Sequence, residues 1–259
     1  MNIICLKNST LIFINLNTST MKKTIFTAAL ILFASLLVDA QQYVWQQLNS
    51  IPSNPRHMPI GFEINGSIYF NMGQSNNYQS FNDLWLYDAS SNSWTQKAAL
   101  PGNPRVGAAS FSINGFGYVC CGWYNTQVQN AMNETWKYDP NSNSWNQVAS
   151  FPGSARYTPS SFVINGKGYV GMGYAPFKND FYAYNPVTNL WTQIAPCPVS
   201  GQSLASFSLY GKGYVVAGNN NSLLSGVYQY EPNGNFWTQK NNFPITTAGA
   251  FSGVINNIA

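Results

Sequence analysis

Five tryptophans, Trp45, Trp94, Trp145, Trp191 and Trp237, stand 49, 51, 46 and 46 residues apart. This period constrains the chain more than any other feature. A unit of that length cannot bury its apolar face alone and must stack on copies of itself. Each unit carries the same landmarks in the same order. A turn comes first: Ile64-Asn65-Gly66, Ile113-Asn114-Gly115, Ile164-Asn165-Gly166 and Leu209-Tyr210-Gly211. An apolar segment then runs to Gly73, Gly122, Gly173 or Gly218. An alternating segment ends at Tyr87, Tyr138, Tyr184 or Tyr230, and the unit closes on its Trp.

The intervals separate strands from loops. From the turn's Ile or Leu to the Gly is 9 residues in every unit, and from the Tyr to the Trp is 7. From Trp to the next Ile or Leu is 19, 19, 19, 18 and 18, whereas Gly to Tyr is 14, 16, 11 and 12. Fixed intervals mark strands joined by tight hairpins, because a register slip of one residue turns every side chain to the wrong face. Asn-Gly between apolar runs is the strongest short hairpin signal. Each unit therefore reads as four strands, A to D, with the variable interval forming a B–C loop. Four-stranded units repeated radially make a β-propeller.

The residues Pro101…Arg105, Ile113-Asn114-Gly115, Tyr118-Val119…Gly122, Tyr138-Asp139-Pro140 and Asn143-Ser144-Trp145 resemble the kelch repeat, and the resemblance covers residues 45–259. It implies an all-β kelch-type propeller with four complete blades and an incomplete fifth. Kelch repeats usually have two adjacent glycines after strand B. Here the pairs are Met72-Gly73, Cys121-Gly122, Met172-Gly173 and Ala217-Gly218. The resemblance also places the D–A connections and B–C loops on one face, and has one terminus complete the blade begun by the other. Residues 41–47 with Trp45 read as a lone D strand, and Ala248 to Val254 as strand A of a fifth unit. That closure rule implies a truncated product of a longer propeller, about six blades within the family's usual range.

Residues 21–40 read as a signal peptide: Lys22-Lys23, an apolar run from Ile25 to Val38, and Ala40 before the cleavage point. The run is shorter than the roughly 20 residues of a membrane span. Residues 1–20 then precede the true start at Met21 as a start-site artefact, and residues 41–259 are the exported propeller. The product is expected to be secreted, periplasmic or on the cell surface.

Charged residues make up only 8% of the chain against 15% aromatic. The net charge of +4 includes no Lys/Arg run, so no nucleic-acid footprint is present. Cys5, Cys120, Cys121 and Cys197 lack CxxC spacing, and no zinc site, disulfide framework or cofactor is indicated. Cys120 and Cys121, adjacent on strand B, are expected to face opposite sides.

Arg56, Arg105 and Arg156 are the only arginines, each 11 residues after its Trp; the same count gives Gln202 and Ala248 in later units. Their guanidinium groups suit a ligand carboxylate, or alternatively tie blade to blade through backbone carbonyls. The B–C loops bring Tyr78, Trp123, Tyr124 and Tyr174 beside Asn-rich segments. Those aromatics suit sugar rings or a protein surface, or simply pack their loops. His57, the only histidine, reads as a surface residue. The copper site of galactose-oxidase-like relatives needs two histidines. A kelch-type mutarotase of acidic sugars, acting in the central channel, would need arginine plus an acid such as Glu63 or Glu134. The leading expectation is a binding module for a protein or glycan; the others are that mutarotase, or an architectural domain of a longer surface protein. The strand-C tyrosines and the closing tryptophans read as packing residues.

Overall fold

The structure, a computed structural model, describes residues 47–124, 130–254 and 258–259. The expected leader and Trp45 lie outside the described residues. Leu48–Ala259 form one compact unit. Blade 1 is β1 (Ile60–Ile64), β2 (Ser67–Asn71), β3 (Leu84–Asp88) and β4 (Ser93–Lys97). Blade 2 is β5 (Ala109–Ile113) and β6 (Phe116–Cys120), then short β7 (Trp123–Tyr124) and β8 (Asn130–Ala131) in its loop, then β9 (Thr135–Asp139) and β10 (Ser144–Val148). Blade 3 is β11 (Ser160–Ile164), β12 (Lys167–Gly171), β13 (Phe181–Asn185) and β14 (Leu190–Ile194); blade 4 is β15 (Ala205–Leu209), β16 (Lys212–Val216), β17 (Val227–Glu231) and β18 (Phe236–Lys240). Every blade is an antiparallel sheet in the order A-B-C-D, as expected of a kelch-type propeller. The constant interval of 7 becomes a cross-strand pair: Tyr87 opposite Trp94, Tyr138 opposite Trp145, Tyr184 opposite Trp191, Tyr230 opposite Trp237.

Three core clusters coincide with the three blade interfaces. The strand-A phenylalanine of one blade lies on a strand-B glycine of the next. A Cβ at Gly117, Gly168 or Gly213 would meet the ring of Phe62, Phe111 or Phe162 at 2.3, 2.4 and 2.2 Å, so no larger residue fits. A polar clamp repeats beside each core. Asn143 accepts from Tyr138 Oη in its own blade (2.8 Å) and from the Ala98 amide of the preceding one (2.9 Å), while Trp145 Nε1 donates to the Ala98 carbonyl (2.8 Å). Trp191 and Trp237 repeat the indole bond on Ala149 and Ala195, and Trp94 makes it to Asn49. Asn49 thus occupies the place that the end of a D strand takes elsewhere.

Strands β1, β5, β11 and β15 pack side by side in that order around the axis. Serine hydroxyls step between them and beyond β15: Ser110 to the Gly61 carbonyl, Ser161 to Ser110, Ser206 to Ser161, Ser252 to Ser206. Ser252 lies in the segment expected to be a fifth strand A. Ala248 to Val254 hold that position, with the Gly249 amide also donating to Ser203 (2.9 Å), but form no strand. Strand A receives its ladder from strand B alone, and no B strand pairs with it among the described residues.

The expected double-glycine site is explained by φ. Met72, Cys121, Met172 and Ala217 all adopt left-handed φ of 58–65°, each before a glycine at 95–100°. The fold imposes the same backbone whether or not the first residue is glycine.

Candidate functional site

D–A connections and B–C loops meet on one face, joined in each blade by a single backbone bridge: His57 with Gln74, Val106 with Trp123, Tyr157 with Tyr174, Gln202 with Asn219. Just inside them is a ring of left-handed residues, Met58, Gly107, Thr158, Ser203 and Gly249, at φ of 49–72°. The Thr158 amide donates to the Gly107 carbonyl (2.6 Å), Ser203 to Thr158 (3.4 Å) and Gly249 to Ser203 (2.9 Å). This ring rims a depression of about 170 Å³ that Pro59, Pro159, Leu204 and Phe251 also line.

The bridge residues give the rim two characters. Over blades 2 and 3 it is aromatic. Trp123 stacks on Tyr157 with ring centres 4.5 Å apart and planes at 15°, Tyr157 meets Tyr174 at 5.5 Å, and Tyr174 meets Phe177 edge-on at 4.8 Å. Trp123, Tyr157 and Tyr174 are all partly exposed. Burial, then neighbouring Tyr174, raises the Tyr157 phenol above its ordinary range, so it is a neutral hydrogen-bonding group at physiological pH. Over blade 4 the rim is amide, with Gln202 bonded to Thr158 Oγ1 (3.2 Å) beside Asn219. In blade 1 buried Gln74 donates to the Tyr78 carbonyl (3.1 Å) and anchors that loop. Tyr78 and Tyr124 are exposed. Of the expected aromatics, Trp123 and Tyr174 join one cluster. Tyr157 completes it and escaped the sequence reading, although it directly follows Arg156.

The three arginines lie beneath this face. Their side chains are 2, 0 and 0% exposed. Arg56 grips Asp83 through two nitrogens at 2.6 and 2.8 Å, Arg156 grips Asp180 likewise, and Arg105 Nη2 meets Glu134 at 2.7 Å. Each also donates to the first carbonyl after strand B of its own blade: Met72 at 2.9 Å, Cys121 at 3.1 Å, Met172 at 3.0 Å. The side chains therefore brace single blades. The blade-to-blade link at this position is main-chain: the Gly73 and Gly122 amides donate to the Arg105 and Arg156 carbonyls. Burial opposes the charge on Asp83 and Glu134. Hydrogen bonds from arginine and from Trp85 or Trp136, with the arginine charge, outweigh it and hold both carboxyls below their ordinary range.

The position continues in blade 4 at Gly201, not Gln202: the Gly173 amide donates to the Gly201 carbonyl (2.7 Å), and in the next unit Gly218 donates to Thr247 (2.8 Å). The carboxylate position there is Gly226, whose carbonyl accepts from Ala217 (2.8 Å) as Asp180 accepts from Met172. Both halves of the ion pair are missing together.

Glu63 lies exposed on β1 and caps the following turn at Gly66, apart from the buried arginines. His57 is exposed. Among the described residues no cluster of His, Cys, Asp or Glu could hold a metal, and no helix is long and apolar enough to cross a membrane. Cys120 and Cys121 do not face opposite sides. β6 ends at Cys120 and the left-handed turn at Cys121 swings its thiol back, so the sulfurs are 3.2 Å apart. Cys197 sits in a different core cluster.

The family model of the KLHDC2/KLHL20/DRC7 Kelch-repeats domain matches residues 32–205. The solved structure of YjhT superposes with a TM-score of 0.75 at 16% identity, over 85% of this chain and 80% of that one. No curated protein matches.

Proposed function

Because this chain belongs to the kelch-repeat family, a fold that serves as a protein-interaction module, we propose that it is an exported binding module that grips a protein partner on the rim of its D–A and B–C face. The observation that carries this reading is the partly exposed stack Trp123–Tyr157–Tyr174, which crosses from blade 2 to blade 3 beside an amide-lined sector. Trp and Tyr are the residues that most often dominate binding energy at protein interfaces. Next to them, Gln202, Asn219 and the Tyr157 hydroxyl supply neutral polar groups. Such a rim suits an uncharged segment with an apolar or aromatic side chain, because the arginine charges beneath are already neutralised. A mutarotase of acidic sugars draws less support, since each arginine is committed to a carboxylate of the protein. Export rests on the leader pattern of residues 21–40, with cleavage after Ala40.

The test is capture of partners by the immobilised exported chain, in parallel with a glycan array, for wild type and a Trp123→Ala/Tyr157→Ala variant of unchanged urea midpoint. Loss of a hot-spot pair is expected to weaken binding about 30-fold, the counterpart of roughly 2 kcal/mol. A variant that binds its protein as wild type does overturns the assignment of the rim. Binding confined to glycans moves the partner to carbohydrate.

A further inference from the structure

We propose that Cys120 and Cys121 are a vicinal dithiol that closes into a disulfide when the chain folds in the presence of a thiol oxidant. Adjacent cysteines in a regular strand point apart. Here the strand ends at Cys120, and Cys121 takes φ 65°. Met72, Met172 and Ala217 take φ of 58–59° at the same place, so the blade, not the cysteines, fixes the turn. The site is anchored on both sides. The Cys121 amide donates to the Glu134 carbonyl (3.1 Å), its carbonyl accepts from Arg105, and the Gly122 amide donates to the Arg156 carbonyl (2.9 Å). Thr135 Oγ1 donates to Cys120 Sγ at 3.5 Å. The sulfurs therefore meet at 3.2 Å in an arrangement the fold holds ready. Cys197, in another cluster, does not compete.

The step balances with a small disulfide, such as oxidised glutathione, as the oxidant. One cysteine thiolate attacks a sulfur of the oxidant and expels one thiolate, leaving a mixed disulfide. The neighbouring thiol loses its proton and attacks the protein sulfur of that bond, forming the Cys120–Cys121 bond and expelling the second thiolate. The protein sulfurs are oxidised, the oxidant is reduced, and the two protons end on two small thiols. Both cysteines are fully buried, and burial pushes the Cys121 thiol up. Exchange is thus suppressed once blades 2 and 3 pack together, so the bond forms during folding and is afterwards shielded. The Cα atoms of adjacent residues are about 3.8 Å apart, short of the usual disulfide span, so the ring is strained and yields to reductant on unfolding. Proposed export bears only on where the oxidant comes from.

In the test, the unfolded full chain is refolded in a glutathione redox buffer or in excess reductant, acid-quenched, alkylated under denaturing conditions and digested. The expected product of the oxidising arm is one peptide carrying both Cys120 and Cys121, unalkylated and two hydrogens lighter, with Cys197 alkylated. In the reducing arm Cys120, Cys121 and Cys197 are all alkylated, as is Cys5 where the leader is retained. Cys121→Ala, which places in blade 2 the residue blade 4 already has, is expected to abolish the light species. The same peptide is to be read in chain taken directly from secretory expression, so that poor refolding does not decide the matter. Alkylation of both cysteines in every oxidising preparation, or a bond from either to Cys197, overturns the proposal.

Discussion

The buried pair Arg156–Asp180 makes a prediction with a worked magnitude. Arg156 presents two nitrogens to the carboxylate at 2.6 and 2.8 Å, donates to the Met172 carbonyl at 3.0 Å and to Ser154 at 2.9 Å, and lies 4.7 Å over the Phe151 ring. Its side chain is 0% exposed and that of Asp180 24%. Arg156→Met leaves the carboxylate without its partner, a change that costs about 3–5 kcal/mol at buried sites. Adding Asp180→Leu removes the stranded charge. What then remains is a Met172 carbonyl short of one donor, about 1 kcal/mol, and the lost cation–π contact, about 0.5–1 kcal/mol. The double variant is therefore expected to be only about 1.5–2 kcal/mol less stable than wild type, and more stable than Arg156→Met alone.

Blade 4 is the reason to expect this recovery. Gly201 and Gly226 occupy the two positions there, yet the surrounding main-chain bonds of 2.7 and 2.8 Å are kept. The assay is urea unfolding at pH 7 for wild type, both single variants and the double, with the coupling taken from the cycle. Additive losses, with the double variant the least stable of the four, would refute the idea that arginine and acid are present only on each other's account.

Two further outcomes follow from the same structure. Asn71 is 1% exposed with neither amide atom partnered, and its counterpart in blade 4 is Val216; Asn71→Val is expected to raise stability by about 1–3 kcal/mol, read as a higher urea midpoint at constant slope, and a lower midpoint would contradict it. Asp83 and Glu134 have folded pKa values below their ordinary ones, so their contribution is complete above about pH 5, clear of both unfolded values, and is lost as pH falls through the depressed folded values. The urea midpoint is expected to hold between pH 7 and 5 and to drop below 4; a midpoint unchanged at pH 3 counts against these pairs as stabilising.

The strands were legible because their lengths cannot vary. The intervals of 9 and 7 mark the A–B hairpin with its following glycine and the C–D hairpin, and both appear in the structure residue for residue. The arginine site was misaligned in later units for an equally physical reason. Counting forward from Trp191 crosses the D–A connection, which is where one residue is missing. Counting back from the turn does not cross the missing residue: eight residues before Ile64, Ile113, Ile164 and Leu209 stand Arg56, Arg105, Arg156 and Gly201. The partners were legible too. Four residues before each strand-C tyrosine stand Asp83, Glu134, Asp180 and then Gly226, so arginine and acid are kept or lost together within this one chain. Alternation misplaced Cys121 because it holds only while the strand lasts, and Tyr157 was passed over because nothing in one dimension sets it against Trp123.

The four blades keep the same main-chain bonds on the rim while changing its side chains almost completely. The bridged pairs are His57–Gln74, Val106–Trp123, Tyr157–Tyr174 and Gln202–Asn219, so one backbone pattern carries imidazole, aliphatic, aromatic and amide groups. The Phe, Gly, Tyr and Trp positions of the blade interfaces, by contrast, scarcely change. Stability therefore resides between the blades and in their buried pairs, and the rim is free to take whatever chemistry a partner demands. That division lets a repeat protein vary its ligand without refolding. In blades 2 and 3 three aromatic rings replace the polar residues of blade 4, the contrast on which the proposed binding rim rests.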